Sequence, residues 1–302
     1  MLSLQRILCP IDFSDASRRA LDHAAAIARW YGSHLTALHV VSPPFMPMPP
    51  VLFAEAPSRR PAALTDTEAE EITAHLRAWL AATSQPPRET DVIVEEASQP
   101  AAQIVARAAS LPADLIVLGT HGRSGFDRLL LGSVTEKVLR KSVCPVMTVP
   151  PPAERPSQLP YKHLLCPVDF SPPSLAALTF AMSMAKESDA ELTIANVIEW
   201  TATALAPSVP FDYSAFRAEF EADATRRLEA LVSDEARTWC RPTTRLLHGK
   251  PYEEILSIAR NERIDLIVMG VHGRNVLDHM LFGSTTNHVV RQAPCPVLTL
   301  KQ

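Results

Sequence analysis

Two stretches of this chain space glycines as a phosphate would need them. Gly119-Thr-His-Gly122, nine further residues and Gly132-Ser133 recur 151 positions later as Gly270-Val-His-Gly273, nine residues and Gly283-Ser284. Each follows an apolar run, LIVLG (115–119) or LIVMG (266–270), and leads into an amphipathic segment opening at Ser133 or Ser284. A glycine ahead of a helix leaves the first amide groups unobstructed, and those N–H groups with the positive end of the helix dipole suit a phosphate. Ser133 and Ser284 add a hydroxyl there, and Thr135 and Thr286 could add another. The phosphate would be bound without a lysine, for neither GxxxxGK[S/T] nor GxGxxG occurs in the chain. A structural alternative makes Ser133 the cap of its helix, with Glu136 three residues later completing a capping box.

Asp12 and Asp169 close the apolar runs that open the two halves of the chain, RILCPIDFS (6–14) and HLLCPVDFS (163–171). Ligands of open parallel sheets bind beyond the carboxyl ends of the strands, where the strand order reverses. There each aspartate could meet a ribose hydroxyl, a metal through water, or the start of the next helix. His121 and His272 lie inside the glycine loops, but no carboxylate is fixed beside them by spacing, so no catalytic residue is assigned. Arg123 and Arg274 could clamp phosphate or stand solvated. No HExxH-like ligand spacing appears, so no protein-only metal site is expected.

The elements that must hold these residues follow from the alternation of short β-rich runs and longer helical stretches, which implies parallel strands with right-handed crossovers. Strands are expected near 5–11, 34–41, 90–96, 114–118 and 145–149, with helices near 15–31, 65–83, 100–110 and 133–142. The second half repeats them, with strands near 162–168, 191–197, 243–248, 265–269 and 296–300. Its helices fall near 173–187, 212–239, 251–262 and 284–292. Ser14 and Ser171 stand where N-caps belong, and Pro172, Pro100 and Pro251 suit a first helical turn. Seven prolines between Ser42 and Pro61 mark an excursion, whose counterpart at 199–211 is shorter.

The 302 residues suit two domains, read as 1–152 and 161–302 with a stiff proline-rich linker at 153–160. A net charge of −4 and a pI near 6.2 argue against nucleic-acid or membrane partners. No run approaches the ~20 apolar residues of a membrane span, and the N-terminal apolar stretch is short for a signal peptide, so a cytoplasmic protein is expected. Five cysteines without CxxC spacing suggest neither disulfides nor a thiolate site; they read as small buried hydrophobes.

Over nearly its whole length the chain resembles two tandem modules of the universal stress protein family. The carriers are CPIDFS (9–14), LGTHGRSG (118–125) and LLLGSVTEKVLRKSVCPV (129–146) in the first half. In the second they are CPVDFS (166–171), MGVHGR (269–274), FGSTTNHVV (282–290) and APCPV (293–297). The resemblance implies two α/β, Rossmann-like (adenine nucleotide hydrolase-like) domains, each a five-stranded parallel sheet with helices on both faces. It also implies that the final strands pair antiparallel, which a tandem chain can do within itself as a pseudo-dimer, or with a second chain as a homodimer.

By the same resemblance, Pro10, Asp12 and Val40 would surround an adenosine. Gly119, Thr120, His121, Gly122, Arg123, Ser124 and Gly125 would wrap ribose and α-phosphate, while Gly132, Ser133, Val134 and Thr135 would meet the outer phosphates of ATP, with Mg2+ where a metal accompanies it. The matching second set is Pro167, Asp169 and Val197; Gly270, Val271, His272, Gly273, Arg274, Asn275 and Val276; and Gly283, Ser284, Thr285 and Thr286. Val276 stands where the first loop has Gly125, so the first site is expected to be the stronger. The implied function is an ATP-binding stress-response module with slow or no hydrolysis. A phosphotransfer enzyme or a scaffold without nucleotide are the alternatives.

Overall fold

In a computed structural model, residues 2–43, 64–83, 86–120, 131–153, 161–200, 213–239, 242–271 and 283–301 are described. The first half runs β1 (Arg6–Pro10), α1 (Asp15–Tyr31), β2 (His34–Val41), α2 (Asp66–Ala81), β3 (Thr90–Glu96), α3 (Pro100–Ser110), β4 (Leu115–Gly119), α4 (Ser133–Lys141) and β5 (Val146–Val149). The second runs β6 (His163–Pro167), α5 (Pro172–Ser188), β7 (Glu191–Ile198), α6 (Tyr213–Ala230), α7 (Asp234–Trp239), β8 (Thr243–His248), α8 (Pro251–Asn261), β9 (Leu266–Gly270), α9 (Ser284–Gln292) and β10 (Val297–Leu300).

The strands form one ten-stranded sheet in the order β3-β2-β1-β4-β5-β10-β9-β6-β7-β8. Within each half all pairings are parallel, and β5 and β10 join the halves antiparallel, as the family resemblance implies. At that seam Leu298 faces Met147, and two buried threonine hydroxyls cross it, Thr148 Oγ1 to Val297 O at 3.3 Å and Thr299 Oγ1 to Val146 O at 3.0 Å.

Alternation along β1 sends Ile7 and Cys9 to one face and Leu8 to the other. The first face carries buried side chains of α1, α2, α5 and α6 in one cluster continuous across both halves, including Ala24, Leu76, Ala181 and Leu228. The second carries α3, α4, α8 and α9, through Ile104, Leu139, Ile255 and Val290. Helices therefore cover both faces, each large buried side chain contributing about 1.5–3 kcal/mol. Tyr31 of α1 bonds Glu187 of α5, so the halves also meet through side chains on that first face. The four described cysteines are free, and burial pushes Cys9 and Cys166 well above, and Cys295 up to about 12 from, the usual thiol range.

One local expectation is corrected. The helix expected over 212–239 is two helices, because the chain tightens after α6 into three-residue turns, Leu231 N to Leu228 O and Val232 N to Glu229 O, which bury Val232. Ser233 then caps α7, its Oγ accepting from Ala236 N at 3.1 Å. α4 opens at Ser133 as expected, and the alternative that made Ser133 its cap falls: the cap is Gly132 (φ −58°, ψ 138°) with no side-chain cap bond. Glu136 pairs with Arg140 at 3.6 Å and closes no capping box. Much of the proline-rich excursion (44–61), the linker beyond Ala153 and most of 199–211 lie outside the described residues.

Candidate functional site

At the carboxyl end of β1 the chain turns through Asp12-Phe13-Ser14. Asp12 Oδ1 accepts from Ser14 N (3.0 Å) and Ser14 Oγ (2.6 Å), and Ser14 Oγ accepts from Ser17 N (3.2 Å), which starts α1. The second half repeats the turn, with Asp169 Oδ1 accepting from Ser171 N (3.0 Å) and Oγ (2.5 Å). Of the roles open to these aspartates, support of the helix start is the one these bonds show. The turn forces Phe13 (φ 62°) and Phe170 (φ 63°) into left-handed backbone, a cost of about 1–2 kcal/mol at a non-glycine residue. Strain of this kind collects at functional sites. The strand beside each turn is tied to it: His39 Nδ1 bonds Ile11 O, and Asn196 Nδ2 donates to Val168 O, both at 2.7 Å.

From the other side the ends of β4 and β9 approach. Gly119 and Gly270 stand where the chain packs closely on itself. A Cβ at Gly119 would lie 2.8 Å from the backbone of Ala16, and one at Gly270 2.8 Å from that of Pro173. These glycines seat β4 and β9 against the first turns of α1 and α5. Beyond them Gly132 N donates to Thr120 O at 2.8 Å, and Gly283 N to Val271 O at 3.2 Å, closing the neck of each glycine loop. Thr135 Oγ1 donates to Gly119 O (2.8 Å) and Thr286 Oγ1 to Gly270 O (3.0 Å), so these hydroxyl protons tie helix to strand and are not offered to a phosphate. The amides of Ser133, Val134 and Thr135, and of Ser284, Thr285 and Thr286, are the first of their helices and have no intrahelical partner. His121, Gly122, Arg123, Ser124 and Gly125, and likewise His272, Gly273, Arg274, Asn275 and Val276, lie outside the described residues.

In the second half these elements enclose a cavity of about 660 Å³. Pro167, Asp169, Val197, Gly270, Gly283, Ser284, Thr285 and Thr286 line it, which is every described second-half candidate except Val271. It also takes in residues the sequence did not single out, among them Phe170, Asn196, Glu199, Trp200, Phe220, Asp223 and Arg227. The indole Nε1 of Trp200 is buried with no partner among the described residues, a donor that a polar ligand would satisfy. Of the charged side chains on the wall three are carboxylates and one is the Arg227 guanidinium, stacked 4.1 Å over the Phe170 ring. In the first half Pro10, Asp12, Val40, Thr120 and the start of α4 take the matching places. There Phe13 packs against His75 (4.4 Å, stacked), His39 (4.8 Å) and Trp79 (5.3 Å, edge-on).

The family model described as "Universal stress protein family" matches residues 3–150 and again 160–301. The chain belongs to the universal stress protein family. Universal stress protein MJ0531 of Methanocaldococcus jannaschii is 34% identical over 145 residues, 47% of this chain and 83% of that protein. Universal stress protein Rv2005c of Mycobacterium tuberculosis is 29% identical over 198 residues, 63% of this chain and 62% of its own. The crystal structure of a universal stress protein from Archaeoglobus fulgidus superposes with a TM-score of 0.66 at 22% identity, covering 99% of both chains, and shares the tandem fold. Among the described residues no helix is long and apolar enough to cross a membrane, and no cluster of three or more metal-ligating side chains occurs.

Proposed function

We propose that this universal stress protein is a regulatory module that binds a purine nucleotide, ATP by family resemblance, in the crevice between the β1 and β4 ends and in its second-half counterpart. The observation that carries the reading is the second-half cavity, lined by strand ends and by Ser284, Thr285 and Thr286, the first residues of α9, whose amides have no intrahelical partner. Its 660 Å³ falls within the 300–1,000 Å³ usual for small-molecule and cofactor sites. The α9 terminus suits a phosphate through its N–H groups and dipole. The carboxylates on the wall suit a divalent cation carried in with the phosphates, Mg2+ keeping most of its ligands from phosphate and water. A role of Asp12 and Asp169 toward ribose or metal belongs to the same proposal.

Paired substitution of the cap glycines tests it. Gly132 and Gly283 have φ near −58° and −55°, open to any residue, and aspartate is a preferred cap. In Gly132→Asp/Gly283→Asp a carboxylate takes the amides a phosphate would use. Thermal stability should hold or rise, since an Asp cap exceeds Gly by only a few tenths of a kcal/mol. Calorimetric binding of Mg-ATP and Mg-GTP should fall by more than about tenfold, or 1.4 kcal/mol. cAMP joins the titration because a universal stress protein has been crystallised with it. Wild-type protein that takes up no nucleotide, or a double variant that binds as wild type does, defeats the reading.

A further inference from the structure

The floor of the crevice is the same in both halves, but the wall contributed by α2 or α6 is not. α2 buries Leu76 and Leu80, and α6 buries Ala224 and Leu228, each pair one turn apart. The residue before each member is His75 and Trp79 in α2, and Asp223 and Arg227 in α6. All four gather at the strained phenylalanine or the space beside it: His75 and Trp79 pack on Phe13, Arg227 stacks on Phe170, and Asp223 and Arg227 line the cavity. The adjoining strand position changes in the same sense, from His39 to Asn196, each tied to the carbonyl before its aspartate. At these two helix positions a pair of rings, His75 and Trp79, is exchanged for a carboxylate and a guanidinium, while Trp200 and Phe220 keep rings elsewhere on the second-half wall.

The exchange changes what the wall can recognise. A ring offers a face to any base, so a stacking wall is tolerant of base identity. A guanidinium and a carboxylate read edges, and an arginine held by stacking keeps its planar fork of N–H donors directed outward. Asp223 is shared with Arg226 at 3.1 Å, an exposed pair of little net worth that a better partner displaces. We infer that the second-half site selects guanine over adenine, Arg227 donating to the O6/N7 acceptor pair while Asp223 accepts from the N1–H and 2-amino group. Adenine turns an amino donor toward the arginine and loses that match. The inference rests on the nucleotide reading of the site.

Gly132→Asp protein, with the first site blocked, isolates the second. Titrated with Mg-GTP and Mg-ATP, it should bind GTP about tenfold more tightly, the low end for a bidentate arginine contact at a partly open wall. Adding Arg227→Lys keeps the charge, removes the fork, and should bring the two affinities to within about twofold. Adding Asp223→His with Arg227→Trp, which installs the first-half wall, should do the same with thermal stability held, both positions being exposed. Equal affinities before either change, or a GTP preference that survives both, overturns the assignment while leaving nucleotide binding intact. If neither nucleotide binds, the nucleotide reading itself fails, and this inference with it.

Discussion

Gly119 and Gly270 illustrate how one residue type answers two different needs. By resemblance both belong to ligand loops; both are also required where a strand end meets a helix, with no room for a methyl group beside Ala16 or Pro173. Gly119→Ala should therefore cost about 1–3 kcal/mol in urea unfolding, the range for forcing an added methyl into filled space. A variant at Gly132, where φ is ordinary, should unfold at the wild-type urea concentration. If Gly119→Ala is as stable as wild type, the close approach is not a constraint. Lost ligand binding at Gly119 would report a displaced strand, so the cap glycines are the cleaner probes.

The secondary elements were legible because each announces itself locally. Apolar runs ending in aspartate or glycine made β1, β4, β6 and β9 visible, and Ser14, Ser171, Pro100, Pro172 and Pro251 marked the helix starts that the structure shows. At the start of α4 a local signature lost to a tertiary bond. Ser133 with Glu136 has the spacing of a capping box, yet the bond from Gly132 N to Thr120 O holds the glycine at the cap. α2 shows the motif where nothing competes: Thr65 Oγ1 accepts from Glu68 N at 3.3 Å, and the Glu68 carboxylate accepts from Thr65 N at 2.9 Å and lies below its usual pKa for that reason. Thr65→Ala should cost about 1 kcal/mol in chemical denaturation. Ser133→Ala, which removes no cap, should cost almost nothing, and equal losses at the two positions would reject the distinction. The cavity wall was hidden for a different reason. Asp223, Arg227 and Phe220 lie on a surface helix whose polar pattern reads as solvated, and only the fold brings them to Phe170 and Asp169.

At the scale of the whole molecule the seam between β5 and β10 dominates. It joins the halves by backbone pairing, two threonine bonds and a buried cluster continuous on one face. A protease site introduced between Ala153 and Tyr161, once cut, should leave two fragments that co-elute as the uncut chain does in size exclusion. Separation of the fragments without denaturant would show that the connection, not the seam, holds the halves together.

Because that seam is antiparallel while every other pairing is parallel, the strands of the two halves point in opposite directions. Their carboxyl ends, and the crevices built on them, open at opposite rims of the shared sheet. No one small molecule can bridge the two. A partner with a flat docking face meets one crevice at a time. Between the two crevices stand the seam strands β5 and β10, so any coupling of one to the other crosses that antiparallel pair.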